Sequence, residues 1–234
     1  MHAAMANIER VLTVDDDPQT GRVLRTVLSC QGYEVRMAVD GASALSSFTA
    51  WQPHLVLTEL CIPHLDGVTL CRRIRAVSRV PIIVVSVKAT EEAKAEALDS
   101  GADDYMTKPF GIVELLARVR AALRRAQDTW DDVTPLEIGD FRIDLATRRV
   151  FVRGDEVRLT PKEFDLLLFL ARRPNRVIDH RRLLDAVWGE GSREHPEYLR
   201  VFVGQLRKKV ERNPSTPRYL ATAPWVGYQF NACG

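Results

Sequence analysis

Five short apolar runs separated by amphipathic stretches are the sequence feature that most constrains the fold of this chain. They lie within the first 125 residues, and each run is followed by a segment with apolar residues at helical spacing. Such alternation is typical of a parallel sheet with helices on both faces. The sequence therefore predicts an α/β domain over residues 1–125, with a five-stranded, doubly wound parallel sheet. The runs are Val11–Val14, Tyr33–Ala38, Leu55–Leu57, Ile82–Val85 and Tyr105–Thr107.

The pattern changes near Ala126. Residues 126–135 are polar, show no periodicity and end in Pro135, which is typical of a linker. Residues 136–234 combine short strand-like pieces, including Val157–Leu159, with three helical stretches and a closing hairpin. This pattern predicts a second, α+β domain. Its first helix begins with a capping box in which Thr160 is the N-cap and Glu163 its partner.

Charge differs between the two halves of the chain. The whole chain carries a formal net charge of +2. Residues 1–124 contain 14 basic and 15 acidic side chains, whereas residues 125–234 contain 19 and 16. Within Arg172–Arg218 there are 12 basic and 6 acidic residues, and this local excess favours contact with nucleic acid in the second domain.

Membrane and redox signals are weak. The longest apolar run, Leu166–Ala171, is far shorter than the roughly 18 residues needed to cross a bilayer. The first residues also lack the basic and apolar order of a signal peptide. The cysteines are widely spaced, so we expect reduced thiols and a cytoplasmic protein without membrane contact. They are Cys30, Cys61, Cys71 and Cys233.

Polar side chains end four of the predicted strands. Asp15 and Asp16 follow the first strand, and Glu59, Ser86 and Lys108 end the third, fourth and fifth. Because parallel strands end at one edge, we expect these five side chains to share a crevice. Clustered carboxylates there need a hard cation or a lysine to offset their charge. An acid cluster could also serve a metal-dependent hydrolase, but no histidine or activated nucleophile accompanies it, and we expect no enzymatic activity.

The first domain resembles the receiver domain of bacterial two-component response regulators, which have the CheY-like fold. The resemblance implies that Asp15 and Asp16, with the backbone carbonyl of Cys61, could hold Mg²⁺. It further implies that position 59 accepts a phosphoryl group, while Ser86 and Lys108 grip that group and Tyr105 reports the state. The segments that carry the resemblance are Val14–Pro18, Leu60–Gly67, Pro81–Ser86 and Gly101–Phe110.

Position 59 departs from the receiver pattern, because the family has aspartate there and this chain has glutamate. The extra methylene moves the carboxylate outward by roughly 1.3 Å. Errors of about 1 Å can cost in-line attack on the order of 10²-fold. Val87 also replaces a residue that is usually small, which would crowd a phosphodonor. We hypothesise that this receiver works without phosphorylation; the alternative is a conventional phospho-switch that tolerates Glu59.

The second domain resembles the winged helix-turn-helix domain of the OmpR/PhoB family. Within it, His195–Val201 and Gly204–Lys209 resemble the KdpE-like branch, which regulates potassium-transport operons. The resemblance implies binding to double-stranded promoter DNA and contact with RNA polymerase. It also implies a sensor histidine kinase, a partnership that Glu59 leaves open. The other matching segments are Leu159–Phe164, Val187–Gly189, Gln205–Lys209 and Gly227–Tyr228.

The third helix of this domain has an apolar stripe and a cationic face. Its stripe recurs at spacings of four, three and four residues, which predicts one buried side. Its other face presents basic residues suited to a major groove. The stripe is Leu199, Val203, Leu206 and Val210, and the outer face is Arg200, Gly204, Arg207, Lys208 and Glu211. The predicted DNA contacts are Arg200, Gln205, Arg207, Lys208 and, near the phosphates, Thr222.

The hairpin that follows departs from the family pattern. Pro224 and Trp225 replace a small turn, and Gln229 stands where arginine is common. We therefore expect no minor-groove contact from this hairpin, and we expect Trp225 to pack against its own strands.

The receiver resemblance also implies a two-fold homodimer through the fourth helix, fifth strand and fifth helix. We expect Lys94 to pair with Glu114, and Asp104 with Arg118, across that interface. Exposed pairs of this kind contribute only about 0–1 kcal/mol each, so they would set the register of the dimer more than its affinity.

Overall fold

The computed structural model describes residues 8–127, 134–189 and 196–232. The chain divides into two compact units between Ala126 and Gln127. The centre of the predicted linker, the residue His195 and the residue Cys233 lie outside the described residues.

A five-stranded parallel sheet forms the first unit, as predicted, in the order β2-β1-β3-β4-β5. Its central strands are buried on both faces, which explains why their sequences are continuous apolar runs. β1 pairs with both neighbours in parallel, with Val11 opposite Val35 and Leu55. The strands are β1 (Arg10–Val14), β2 (Glu34–Ala38), β3 (Leu55–Thr58), β4 (Ile82–Ser86) and β5 (Asp104–Thr107).

Five helices connect and cover these strands. Side chains of Asp17, Asp40, Asp66 and Thr90 cap the first four by accepting hydrogen bonds from first-turn N–H groups. The fifth helix continues to Gln127, two residues beyond the predicted boundary of the domain. The helices are α1 (Pro18–Cys30), α2 (Gly41–Trp51), α3 (Gly67–Val77), α4 (Glu91–Asp99) and α5 (Ile112–Gln127).

The second unit begins with a four-stranded antiparallel sheet in sequential order, β6-β7-β8-β9. The last of these strands was predicted at Val157–Leu159 and was misplaced, because the turn at Gly154 leads directly into pairing and the strand ends at Val157. The strands are β6 (Leu136–Ile138), β7 (Phe141–Asp144), β8 (Arg149–Val152) and β9 (Asp155–Val157).

Three helices and a second antiparallel sheet complete the described part of this unit. The capping box is present, since Thr160 accepts from the Glu163 N–H and the Glu163 carboxylate accepts from the Thr160 N–H. The second sheet has the order β10-β12-β11, and its first strand was not predicted. The elements are α6 (Pro161–Ala171), β10 (Val177–Asp179), α7 (His180–Trp188), α8 (Pro196–Val210), β11 (Leu220–Ala223) and β12 (Gly227–Phe230).

Candidate functional site

Four of the five predicted strand-end side chains meet at one edge of the parallel sheet. The Lys108 ammonium lies 2.6 Å from a carboxylate oxygen of Asp15 and 2.9 Å from one of Glu59. The Ser86 hydroxyl donates a short hydrogen bond to the other Glu59 oxygen. Asp16, the fifth, is exposed to solvent.

The Glu59 carboxylate is saturated with donors from its own chain. Besides Ser86, its Oε1 atom accepts from the backbone N–H groups of Leu60 at 2.7 Å and Cys61 at 3.3 Å. Its Oε2 atom accepts from the Val87 N–H at 3.3 Å, in addition to Lys108. Glu59 is 3% exposed, so these bonds replace the water it would otherwise hold.

The loop after Glu59 is fixed by a close backbone approach at Gly67, which was not among the predicted site residues. Gly67 donates its N–H to the Leu60 carbonyl at 2.9 Å. A Cβ atom at Gly67 would overlap the carbonyl oxygen of Glu59. Asp66 caps α3 immediately before this glycine. An Asp-Gly pair a few residues after a strand end is the signal that could have revealed this support.

Burial and hydrogen bonding act in opposite directions on these groups. Burial raises the pKa of the Glu59 carboxyl, but hydrogen bonds from Ser86 and Lys108 outweigh it and hold this pKa below its ordinary value. Burial would lower the pKa of Lys108, but its two carboxylate partners raise it above the ordinary value. For Asp15 burial dominates and holds the pKa above its ordinary value. Glu59 and Lys108 therefore form an ionised pair.

Asp15, one of the oxygen donors expected for Mg²⁺, is already engaged by groups of its own chain. Asp15 uses one carboxylate oxygen to accept from the Asp17 N–H at 3.0 Å and the other to bind Lys108. Among the described residues, no group of three acidic, histidine or cysteine side chains is placed to hold a metal ion. The ammonium of Lys108 supplies the positive charge that the carboxylates require.

Tyr105 lies close to the same pocket with its ring turned inward. The side chain is 2% exposed, and its hydroxyl donates to the Lys88 carbonyl at 2.5 Å. Lys88 follows Ser86 by two residues, and its N–H lies 3.3 Å from the Ser86 hydroxyl oxygen, to which it donates. The aromatic side chain that should report the state is thus linked through this loop to the serine that binds Glu59.

Asp104 and Arg118, which are predicted to pair across a dimer interface, pair with each other within the chain. The Arg118 guanidinium lies 2.8 Å from both Asp104 carboxylate oxygens, and both side chains are buried. Arg118 also pairs with Glu114 one helical turn earlier, at 2.9 Å. A buried arginine satisfied by two carboxylates in its own subunit is a structural ion pair. Lys94 lies on α4, as predicted.

Helix α8 has the predicted buried stripe, since Leu199, Val203, Leu206 and Val210 are at most 1% exposed. On its other side Arg200 and Lys208 are exposed, and Gln205 is half-buried. Arg207 instead turns toward the hairpin. Its guanidinium donates to the Leu220 carbonyl at 2.5 and 2.9 Å and to the Thr222 hydroxyl at 2.7 Å.

Glu211 does not lie on the cationic face, contrary to the sequence analysis. Helix α8 ends at Val210, and although the Glu211 N–H still donates to the Arg207 carbonyl at 3.0 Å, the Glu211 side chain binds the loop that follows the helix. The Glu211 carboxylate is buried and accepts from three backbone N–H groups at 2.9–3.0 Å. The donors are Arg218, Tyr219 and Leu220, so Glu211 closes the loop between helix and hairpin.

Trp225 does not pack against its own strands, and that expectation was wrong. The side chain is 99% exposed at the tip of the hairpin formed by β11 and β12. The hairpin lies in a sheet with β10, beside the helices, and forms the wing of a winged helix-turn-helix fold.

The two units together define a class of protein: a response regulator in which a receiver domain precedes a DNA-binding output domain. A family model for the response regulator receiver domain matches residues 11–120. A second, for the C-terminal domain of transcriptional regulatory proteins, matches residues 154–230.

Similar proteins cover nearly the whole chain. Transcriptional regulatory protein KdpE of Mycobacterium tuberculosis strain CDC 1551 is 41% identical over 223 residues, which are 95% of this chain and 99% of that protein. DNA-binding response regulator MtrA of Mycolicibacterium smegmatis is 41% identical over 221 residues, covering 94% and 96%. The crystal structure of DrrB, a Thermotoga maritima OmpR/PhoB homolog, matches with 30% identity and a TM-score of 0.51, covering 96% and 100%.

The chain belongs to the OmpR/PhoB family of response regulators and is KdpE-like. It is accordingly a DNA-binding transcription factor of that type. No helix in the described part of the chain is long and apolar enough to cross a membrane.

Proposed function

We propose that this transcription regulator holds its receiver in the active-like state through Glu59, without phosphorylation. One observation carries the proposal: a single carboxylate accepts from the Ser86 hydroxyl, the Val87 N–H and the Lys108 ammonium at once. By the family resemblance, Ser86 and Lys108 are the groups that grip a phosphoryl group. Glu59 therefore engages them from within the chain.

The charge and hydrogen bonding of Glu59 support a partial mimic. A phosphoryl group carries about −1.5 to −2 charge and three acceptor oxygens, whereas a carboxylate carries one charge and two oxygens. The low pKa of Glu59 keeps its single charge present at neutral pH. The inward Tyr105 ring supports the same state, because its hydroxyl donates to the carbonyl of Lys88, whose N–H donates to the Ser86 hydroxyl that binds Glu59.

The same contacts explain why phosphorylation would be slow. A nucleophilic carboxylate needs an oxygen free to attack, and both oxygens of Glu59 are bonded to several donors. Asp15 shares Lys108 with Glu59, so one ammonium already offsets part of the negative charge that an added cation would otherwise offset. In this account a sensor kinase is dispensable for DNA binding, and a homodimer on promoter DNA is the form expected to contact RNA polymerase.

Incubation with acetyl phosphate and Mg²⁺, followed by intact-protein mass measurement, tests the chemical part of the proposal. The wild-type chain should gain no phosphoryl group, and Glu59→Asp should gain one. The shorter Asp side chain restores the family's acceptor and withdraws the carboxylate from Ser86 and Lys108. Stoichiometric acyl phosphate on Glu59 itself would favour the conventional phospho-switch.

A further inference from the structure

The tip of the wing carries an apolar side chain that the fold does not use. Trp225 is 99% exposed, more than any other large hydrophobic side chain among the described residues. Val226 beside it is 51% exposed. A tryptophan side chain that is fully exposed to solvent contributes none of the hydrophobic free energy that burial of this large side chain normally provides.

The turn itself also disfavours tryptophan. The Val226 N–H donates to the Ala223 carbonyl at 3.1 Å, which closes a four-residue turn with Pro224 in its second position. Trp225 occupies the third position with φ of +67°. A left-handed residue at that place is the signature of a type II turn, where glycine or asparagine is preferred. Neither packing nor backbone preference accounts for Trp225.

The base of the wing is held firmly. The His180 N–H at the start of α7 donates to the Val226 carbonyl at 3.2 Å. Gly227 pairs with Asp179 of β10, and a Cβ atom at Gly227 would overlap the Ile178 carbonyl oxygen. The tip therefore projects from a supported strand pair, which limits the conformational entropy lost if the tryptophan binds a partner.

The wing is continuous with the cationic face of α8. Arg207 of this helix bonds to Leu220 and Thr222 of β11, and Thr222 precedes Trp225 by only three residues. Lys208, next to Arg207, is exposed, as is Arg200 two turns earlier. The hairpin that carries Trp225 is therefore bonded to the helix whose exposed side chains attract a polyanion.

Against the expectation from the hairpin sequence, we infer that Trp225 is a DNA contact that inserts its indole ring into the minor groove and wedges between base pairs, bending the duplex. The inference rests on DNA binding by α8 and adds how the wing contributes. Apolar wedges of this kind unstack a base step and kink the duplex. They therefore select DNA sequences that bend easily, and not a particular pattern of hydrogen-bonding groups on the bases. Pro224 and Trp225 thus replace a charge-based wing contact with an apolar one.

A bending assay with the full chain tests the inference. The probe is a duplex of about three helical turns, selected by the wild-type chain from a randomised pool and labelled at its two ends for energy transfer. Trp225→Gly should bind this duplex about tenfold more weakly and lose the bend, while Trp225→Phe should retain most of both. The thermal midpoint of Trp225→Gly should not fall below that of the wild-type chain, because glycine suits the third position of this turn.

Lys208→Ala is the matched control, since it removes one phosphate-attracting charge. It should weaken binding but leave the energy transfer of the saturated complex unchanged. Unchanged affinity and bending in Trp225→Gly would overturn the inference while leaving DNA binding intact. Loss of self-association in that variant, with DNA affinity unchanged, would overturn it in favour of a second copy of the chain. Failure of the wild-type chain to enrich any duplex would refute DNA binding and the inference together.

Discussion

One methylene group distinguishes Glu59 from the aspartate expected at its position, and its effect depends on what surrounds it. The longer side chain lets the carboxylate reach Ser86, Val87 and Lys108 while staying attached to the strand end. The residue type was readable from the sequence, and so was the convergence of the strand ends. The donors from Leu60 and Cys61 were not, because backbone N–H groups leave no sequence signal.

Glu211 is a second residue whose role depends on its place relative to an element end. Glu211→Ala should lower the free energy of unfolding of the second unit by about 2–4 kcal/mol, because three backbone donors lose a charged acceptor. Chemical denaturation followed by circular dichroism measures this change.

Glu156→Ala is the control for that measurement. Glu156 pairs with the Arg149 side chain on an exposed strand surface, so its removal should cost less than about 1 kcal/mol. Equal losses in the two variants would contradict a special role for the buried Glu211 carboxylate.

Among the helices and strands, those with long apolar patterns could be located from the sequence, and some of the shortest ones could not. The strands of the parallel sheet were located to within a residue or so, because burial on both faces produces continuous apolar runs. β10 was missed, since in Val177–Asp179 only Ile178 is buried. The exposure of Trp225 was also missed, because a hairpin sequence does not say whether its tip has anything to pack against.

Arg207 connects helix α8 to the wing by hydrogen bonds, whereas Lys208 is exposed to solvent. Substitution of these two basic residues should therefore have different effects. Lys208→Ala should weaken DNA binding and lower the salt dependence of the affinity by about one counterion, with no change in thermal stability. Arg207→Ala should lower both DNA affinity and thermal stability, because it detaches the helix from Leu220 and Thr222.

Salt titrations of binding to the selected duplex, together with melting curves, distinguish these two outcomes. If Arg207→Ala loses affinity at unchanged thermal stability, Arg207 is a direct DNA contact and not a support for the wing.

At the scale of the whole molecule, the near-zero net charge is the sum of an acidic and a basic domain with separate tasks. The receiver offsets part of the charge of its own acidic pocket with Lys108, and the second domain presents exposed cationic side chains on α8. Arg118 pairs with both Asp104 and Glu114 inside one chain, and the homodimer contacts through Lys94, Asp104, Glu114 and Arg118 stay a prediction. The sequence predicted these residues as interface contacts, but it did not indicate that Arg118 pairs with Asp104 and Glu114 of its own chain.

The affinity of the full chain for its selected duplex, measured with and without acetyl phosphate and Mg²⁺, tests the role of Glu59 most directly. The wild-type chain should bind tightly in both conditions. Glu59→Asp should bind more weakly and regain affinity only with the phosphodonor, and Glu59→Gln, which loses the charge paired with Lys108, should bind weakly in both. A wild-type chain that binds tightly only after phosphodonor treatment would contradict the account, as would a Glu59→Gln variant with undiminished affinity.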